Sequence, residues 1–226
     1  MTRFTALLLG LVALMASPLS QAAAVDPLDR IESATEILEK TLVLPEQEIP
    51  PKLLRDAQGI AVIPGVIKAG FVVGGSYGRG LLTVRDSNGR WGQPIFLKLY
   101  AGSVGWQIGA QSTDVVLVFK TRRSVEGLIN GTFTLGADAG IAAGPIGRRG
   151  EAATDVDLKA EILSYSRSRG LFAGVSLEGA KLDVDNDANR EFYGSSVRPR
   201  EIMAGNVGSP AEAGRFLNAV NKVAGN

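Results

Sequence analysis

Apolar residues recur at helical spacing near both ends of the chain and in short strand-like runs between them. Asp26-Pro27 is typical of a helix start, and apolar residues follow it every three or four positions. A second, short helix is predicted over residues 51–58. Between residues 60 and 180 the apolar runs are rich in Val, Ile and Phe and are bounded by Gly, Pro, Asn or Asp. The pattern therefore predicts a set of strands with helices on either side.

The turn and capping signals divide the chain further. Ser87-Asn88-Gly89 is typical of a hairpin, and Ser209-Pro210-Ala211-Glu212 resembles a capping box with proline at the first helical position. Further helices are predicted over residues 124–129 and 187–193. The predicted strands cover residues 60–63, 71–73, 81–84, 95–99, 115–119, 132–135, 155–163 and 170–183. These elements indicate an α+β fold: a strongly curved, mainly antiparallel, barrel-like sheet flanked by N-terminal and C-terminal helices.

The segment from Ser164 to Ala180 alternates hydroxyl and cationic side chains before it becomes apolar. In a strand, Ser164, Ser166 and Ser168 share one face, and the opposite face carries Tyr165, Arg167 and Arg169. We interpret the segment as a margin of the sheet that presents Arg and Ser to a ligand.

The first 24 residues have the pattern of a signal peptide. Arg3 supplies the positive region, an apolar run follows, and Ala22-Ala23-Ala24 is typical of a cleavage site. A retained N-terminal anchor is the alternative. The chain has no cysteine, so it has neither disulfides nor a thiol for an acyl anchor. We expect an exported, periplasmic protein with a single domain over residues 25–226. A peripheral location on a membrane is compatible with this expectation.

The charge balance limits the partners of the mature chain. Removing residues 1–24 takes away one cation, which leaves 24 − 1 = 23 Lys and Arg against 23 Asp and Glu. A neutral chain has no strong overall field for nucleic acid, so a local cluster must hold any polyanion. Of the 24 cations in the full sequence, 16 are Arg and 8 are Lys. This excess of arginine favours bidentate binding of phosphate or carboxylate.

Two motifs suggest chemistry that the composition argues against. Gly74-Gly75-Ser76-Tyr77-Gly78 matches a nucleophile elbow, but the chain has no histidine to activate Ser76, so we interpret the motif as a glycine-rich turn. Residues 183–189 resemble the start of a calcium loop, but Ala188 replaces the required glycine. A strand end followed by a capped helix is favoured there, with calcium binding as the alternative. We expect no catalytic residue, no metal and no cofactor.

Basic residues near the glycine-rich turns are the remaining candidates for a site. If several of them converge, they form an anion site suited to a lipid headgroup. The alternative is that each is a solvated surface charge paired with a carboxylate. The candidate lipid- or anion-binding residues are Lys68, Arg79, Arg148, Arg149, Arg167 and Arg169.

Several segments of the chain, in matching order, resemble the SYLF domain family, the lipid-binding domain of yeast actin-patch regulators. The resemblance is carried by residues 57–75, 105–118, 135–148, 164–179 and 187–194. It implies helices flanking a curved β-rich body and binding of phospholipids, with phosphoinositides and in some cases actin filaments as ligands of eukaryotic members.

These observations predict a non-enzymatic protein of the bacterial cell envelope. We expect it to bind anionic phospholipids or a membrane surface through a local Arg/Lys cluster, without nucleic acid. The alternative is an envelope scaffold or protein-interaction module that has a protein partner and no lipid ligand. A hydrolase that uses Ser76 is a third hypothesis.

Overall fold

A computed structural model describes residues 26–41, 49–70, 73–104, 109–146, 159–168, 171–194 and 196–225. Within these ranges the helices are α1 (Pro27–Thr41), α2 (Pro51–Asp56), α3 (Arg122–Ile129), α4 (Asn186–Tyr193), α5 (Pro199–Met203) and α6 (Ala211–Ala224). The strands are β1 (Gly59–Gly70), β2 (Val73–Val84), β3 (Ile95–Val104), β4 (Gly109–Phe119), β5 (Phe133–Thr134), β6 (Ile141–Ala143), β7 (Ile162–Ser168), β8 (Leu171–Gly174) and β9 (Lys181–Val184).

All nine of these strands belong to one strongly curled sheet that forms a half-barrel. The order across it is β5-β9-β3-β2-β1-β4-β7-β6, and β8 pairs with the rest of the outer edge of β7. The β6–β7 pair is parallel and the other pairs between these strands are antiparallel. With helices at both ends of the described chain, this confirms the predicted α+β fold.

A bulge in β1 gives the sheet part of its curl. Residues 63–66 of β1 lie opposite residues 78–80 of β2, so β1 carries one extra residue. Gly65 takes a positive φ of 56° inside the bulge. Gly80 faces it so closely that an added Cβ would lie 2.2 Å from the Val62 carbonyl oxygen. Bulges increase the local twist of a sheet, and here the small glycine lets β1 bend over its neighbour.

Helices cover both faces of the sheet, and each face has its own apolar core. On one face, which we call face A, the sheet residues Leu81, Phe96 and Val116 pack with residues from α1, α4 and α6. On the opposite face, face B, the sheet residues pack with Val125 and Leu128 of α3. Side chains alternate between the two faces along each strand. The core residues therefore show to which face each of the other side chains of β1–β4 and β7 belongs.

Helix α1 packs on the body of the protein, as its apolar stripe predicts. Ile31, Ala34 and Leu38 are buried in the core of face A. Asp26 accepts a hydrogen bond from the Leu28 backbone N–H at 2.8 Å, which confirms the helix start. The acidic side of the helix faces away from this core.

A buried ionic cluster joins α1 to the sheet. The Asp185 carboxylate accepts from Arg30 Nη1 at 2.8 Å and from Lys98 Nζ at 3.0 Å. The same carboxylate accepts from the Ala188 backbone N–H and so caps α4. Burial favours a neutral Asp185, but the hydrogen bonds from Arg30 and Lys98 outweigh it and lower the pKa of Asp185 below its ordinary 3.8.

Several local predictions are confirmed and others are wrong. Helix α4 ends at Gly194 in the left-handed conformation, and the hairpin at Ser87-Asn88-Gly89 connects β2 to β3. The strand predicted over residues 170–183 is two strands, β8 and β9, with a turn at Gly179. The capping box at Ser209 is also wrong. Pro210 is the N-cap of α6, and the Ser209 hydroxyl accepts from Gln93 Nε2 at 2.8 Å instead.

Candidate functional site

A row of charged side chains crosses face A just beyond the apolar core. Lys98 of β3 is paired with Arg79 of β2, and Asp114 of β4 is paired with Arg167 of β7. The β1 bulge lies between the two pairs, and Gly65 in it donates its backbone N–H to Asp114 Oδ1 at 3.0 Å. We call Lys98, Arg79, Asp114 and Arg167 the polar row.

The geometry of the polar row separates its two arginines. Arg79 and Arg167 are three strand spacings apart, about 14 Å measured across the sheet. They share a face and a level, with β1 and β4 between them, so an extended anionic surface can meet both.

An apolar patch lies directly beyond Arg79 and Lys98 on the same face. Tyr77 is paired with both Ile67 and Tyr100, and the two tyrosine rings contact each other at a tilt of 48° with centroids 5.2 Å apart. Ile67 is 54% exposed and Tyr100 is 39% exposed, which is unusual for large apolar side chains. We call Ile67, Tyr77 and Tyr100 the tyrosine patch.

Arg79 connects the polar row to the tyrosine patch. Its Nε donates to the Tyr77 hydroxyl, and its guanidinium lies over the Tyr77 ring at 5.5 Å from the centroid. These contacts hold the partly exposed guanidinium beside the patch. Lys98, by contrast, is engaged with Asp185. Burial would lower the pKa of Lys98, but its bond to Asp185 dominates and raises that pKa.

Arg167 occupies a more enclosed position at the other end of the polar row. Its side chain is 14% exposed, its Nη1 is 4.0 Å from Asp114 Oδ2, and its guanidinium lies 5.8 Å from the Phe172 ring centroid. Within the described chain its Nε is buried without a hydrogen-bond partner. The same is true of the hydroxyl of Tyr165, the preceding residue on this face.

The structure brings together only some of the candidates proposed from sequence. Arg79 and Arg167 lie in the polar row. Lys68 is exposed on the opposite face, between Ser76 and Gln111 of the neighbouring strands. Arg148, Arg149 and Arg169 lie outside the described residues, so their part in the site stays a prediction.

Side chains alternate along β7 as predicted, but β7 is not at a solvent-facing edge of the sheet. Ser164 and Tyr165 are fully buried on opposite faces. The Ser164 hydroxyl lies 3.1 Å from the Ala142 carbonyl oxygen, to which it donates, and it also contacts the Val175 carbonyl oxygen. This serine joins β6 and the segment after β8 to β7 and is not available to a ligand. The prediction failed because β7 has neighbours on both sides, which alternation within one strand cannot show.

The two motifs that suggested other chemistry form ordinary secondary structure. Ser76 lies inside β2, paired with Lys68 and Ala101, and the strand continues to Val84. The motif is therefore neither an elbow between strand and helix nor the turn that the sequence suggested. Residues 183–189 form the end of β9 and the capped start of α4, as favoured above. No group of metal-ligating side chains occurs among the described residues.

Five contributors to this surface were not among the sequence candidates. They are Lys98, Asp114, Ile67, Tyr77 and Tyr100. The sequence gives a reason to group Tyr77 with Arg79, since both alternate with glycines along β2 and therefore share a face. The other four join them only through the register of the sheet. Among the described helices, none combines the length and the apolar character needed to cross a membrane.

The fold and this surface define an α+β half-barrel protein whose described residues offer a charged and aromatic sheet face. A family model described as "Ysc84: Las17-binding protein actin regulator" matches residues 100–223, more than half of the chain. The chain belongs to this family, which confirms the resemblance to the SYLF domain.

Curated relatives from fungi and vertebrates agree with this assignment. "SH3 domain-containing protein PJ696.02" of Schizosaccharomyces pombe is 39% identical over 78% of this chain and 41% of its own length. "LAS seventeen-binding protein 3" of Saccharomyces cerevisiae is 37% identical over 73% of this chain and 36% of its own length. "SH3 domain-containing YSC84-like protein 1" of Xenopus laevis is 39% identical over 75% and 51%, respectively. The chain thus spans about half or less of these relatives. Their names describe binding or domain-containing proteins, and none names an enzyme.

Proposed function

We propose that this chain is a non-enzymatic phospholipid-binding protein of the bacterial cell envelope. The observation that carries the proposal is the adjacency of Arg79 to the tyrosine patch on an accessible part of face A. An arginine beside exposed tyrosine and isoleucine side chains suits a membrane interface. The tyrosine and isoleucine side chains enter the boundary of the acyl region while the guanidinium binds phosphate.

The physical basis of binding is local. A guanidinium donates charge-assisted hydrogen bonds to a phosphodiester, and the exposed apolar area of Ile67 and Tyr100 adds favourable burial. Since the chain from residue 25 onward has no net charge, long-range attraction contributes little and binding depends on this short-range match. Placement in the envelope rests on the signal-peptide pattern of residues 1–24.

Vesicle flotation of the purified protein tests the proposal. We expect flotation with vesicles of equal parts phosphatidylcholine and phosphatidylglycerol, and much less with phosphatidylcholine alone. Arg79→Gln should weaken flotation, and Ile67→Ser should weaken it by loss of apolar contact. Arg90→Gln is the matched control, because Arg90 lies in the β2–β3 turn at the far end of the strand and pairs with Asp86. Absence of flotation with both vesicles at low salt would rule the proposal out.

A protein-interaction module is the second candidate, and the relatives' names favour it. One relative is named for binding the protein LAS seventeen, which makes protein binding a property to test in this chain. The same tyrosine patch suits a protein surface, since tyrosine and arginine are enriched where proteins meet. Recovery of a stoichiometric envelope protein in lipid-free purification, lost in Tyr100→Ser, would favour this candidate over phospholipid.

A further inference from the structure

Two buried donors at neighbouring positions of β7 have no hydrogen-bond partner within the described chain. They are the Tyr165 hydroxyl and Arg167 Nε. Tyr165 is fully buried, and both residues point to face A, since each alternates with the serines of face B. Buried polar groups in folded proteins are nearly always satisfied, so an unpartnered pair indicates a bound group that completes them.

Charge is also incompletely balanced at Arg167. The distance from Arg167 Nη1 to Asp114 Oδ2 is 4.0 Å, which is longer than a hydrogen bond. The other carboxylate oxygen of Asp114 is occupied by the Gly65 backbone N–H at 3.0 Å. Among the described residues Asp114 is the one carboxylate within 4.0 Å of this largely buried guanidinium, and its distance favours a second anionic group. Burial raises the pKa of Tyr165, so the hydroxyl stays protonated and can donate to such a group.

Tyr165 and Arg167 are two residues apart on β7 and share face A, so one bound group can lie against both side chains. The surroundings are shaped for the Tyr165 side chain, because a Cβ on Gly144 would lie 2.4 Å from its hydroxyl. Only glycine at this position leaves that hydroxyl its space.

We propose that Tyr165 and Arg167 form a site for one phosphate-type oxyanion, with Phe172 as an apolar wall. The proposal rests on the proposed function in that a membrane phosphodiester is one source of this group, and free phosphate is the other. The site lies at the opposite end of the polar row from the tyrosine patch, so it binds its phosphate group separately from that patch.

Titration of the purified protein with soluble probes tests the site. The probes are dihexanoylphosphatidylglycerol below its micelle concentration, inorganic phosphate and acetate. The protein has only four tyrosines, so ¹³Cζ-tyrosine labelling resolves Tyr165, which Tyr165→Phe assigns. We expect the two phosphate probes to shift this resonance and acetate to leave it unchanged. Tighter binding of the lipid probe identifies a headgroup as the source, and equal binding identifies free phosphate.

Variants then connect the binding to the two side chains. Tyr165→Phe and Arg167→Gln should each weaken calorimetric affinity by about tenfold or more, the value of a lost charge-assisted hydrogen bond. Ser166→Ala, on the opposite face of β7, is the control and should stay within about twofold. Tyr165→Phe keeps the ring and removes only an unpartnered hydroxyl, so it should fold, and Arg167→Lys gives a second test that retains the charge.

The outcomes separate this site from the proposed function. An unshifted Tyr165 resonance with both phosphate probes, or unchanged affinity in both variants, overturns the site and indicates that water satisfies the donors. An equal response to acetate overturns the phosphate assignment. If vesicle flotation persists while these titrations fail, only the site is wrong. If the soluble probes bind but vesicles do not float the protein, the membrane function is wrong and the site stands.

Discussion

Asp185→Asn tests the buried cluster that joins α1 to the sheet. The carboxylate holds Arg30 Nη1 at 2.8 Å and Lys98 Nζ at 3.0 Å, and the side chains of Arg30 and Asp185 are 4% and 3% exposed. Asparagine keeps the size and can still cap α4, but it removes the negative charge that both cations contact. Removal of one partner from a buried pair costs about 3–5 kcal/mol. Lys98 is 23% exposed and can turn toward water, so we expect about 3 kcal/mol, the lower end of that range.

Urea unfolding at neutral pH, followed by circular dichroism, measures this loss. For a domain of this size a loss of about 3 kcal/mol lowers the midpoint by about 1–2 M urea. Asp183→Asn is the matched control, since Asp183 lies in β9 two residues before Asp185 and makes no ion pair within the described residues. It should change the free energy of unfolding by less than about 0.5 kcal/mol. A loss below about 1 kcal/mol for Asp185→Asn, or equal losses for both variants, would refute the reasoning.

The pH dependence provides a second measurement of the same cluster. The pKa of Asp185 is lower in the folded protein than its ordinary 3.8, so the unfolded chain takes up the proton first as pH falls. The stabilisation is therefore complete well above pH 3.8 and is lost as pH falls below it toward the folded pKa. We expect the stability difference between the wild type and Asp185→Asn to be constant near neutral pH and to shrink in acid. A difference that grows in acid would contradict this.

Two further pairs of variants test the packing. Gly80→Ala should destabilise the fold by about 3 kcal/mol or prevent folding, because the new Cβ would meet the β1 backbone. Gly102→Ala is its control: the new Cβ meets nothing within 4 Å, so thermal unfolding should be unchanged. Tyr193→Phe should lower the free energy of unfolding by about 1 kcal/mol, since the Tyr193 hydroxyl donates to a backbone carbonyl at 2.7 Å. Tyr165→Phe, measured without an added probe, should not change the free energy of unfolding measurably. Equal effects within either pair would contradict the contacts described.

The sequence predicted local structure well where one element carries the whole signal. The start of α1 at Asp26-Pro27 and the end of α4 at Gly194 depend on residues adjacent in the chain. The capping box at Ser209 failed because Gln93, distant in sequence, takes the hydroxyl instead. The prediction of a turn at Gly74–Gly78 failed for a related reason, since the segment continues as strand β2 and its Gly78 allows a close approach to β1.

The candidate site was predicted in part. Arg79 and Arg167 were found because arginines beside glycine-rich or hydroxyl-rich strands suggest anion binding. Lys68 was grouped with them, but it lies on the opposite face, because the one-residue bulge in β1 lies between it and the core positions. A single extra residue moves every later side chain to the other face of a strand. No pattern within β1 alone reveals that shift.

From the sequence alone we could predict the family, the α+β class and the alternation of Tyr165 and Arg167 with serines. These properties depend on residues close together in the chain, where helical and strand periods are visible. Only the tertiary structure shows that Lys98, Arg79, Asp114 and Arg167 form one row. It also shows that the Tyr165 hydroxyl is buried beside Arg167 without a hydrogen-bond partner in the described chain. Those facts depend on the register of strands far apart in sequence, which the bulge and the packing of two cores fix together.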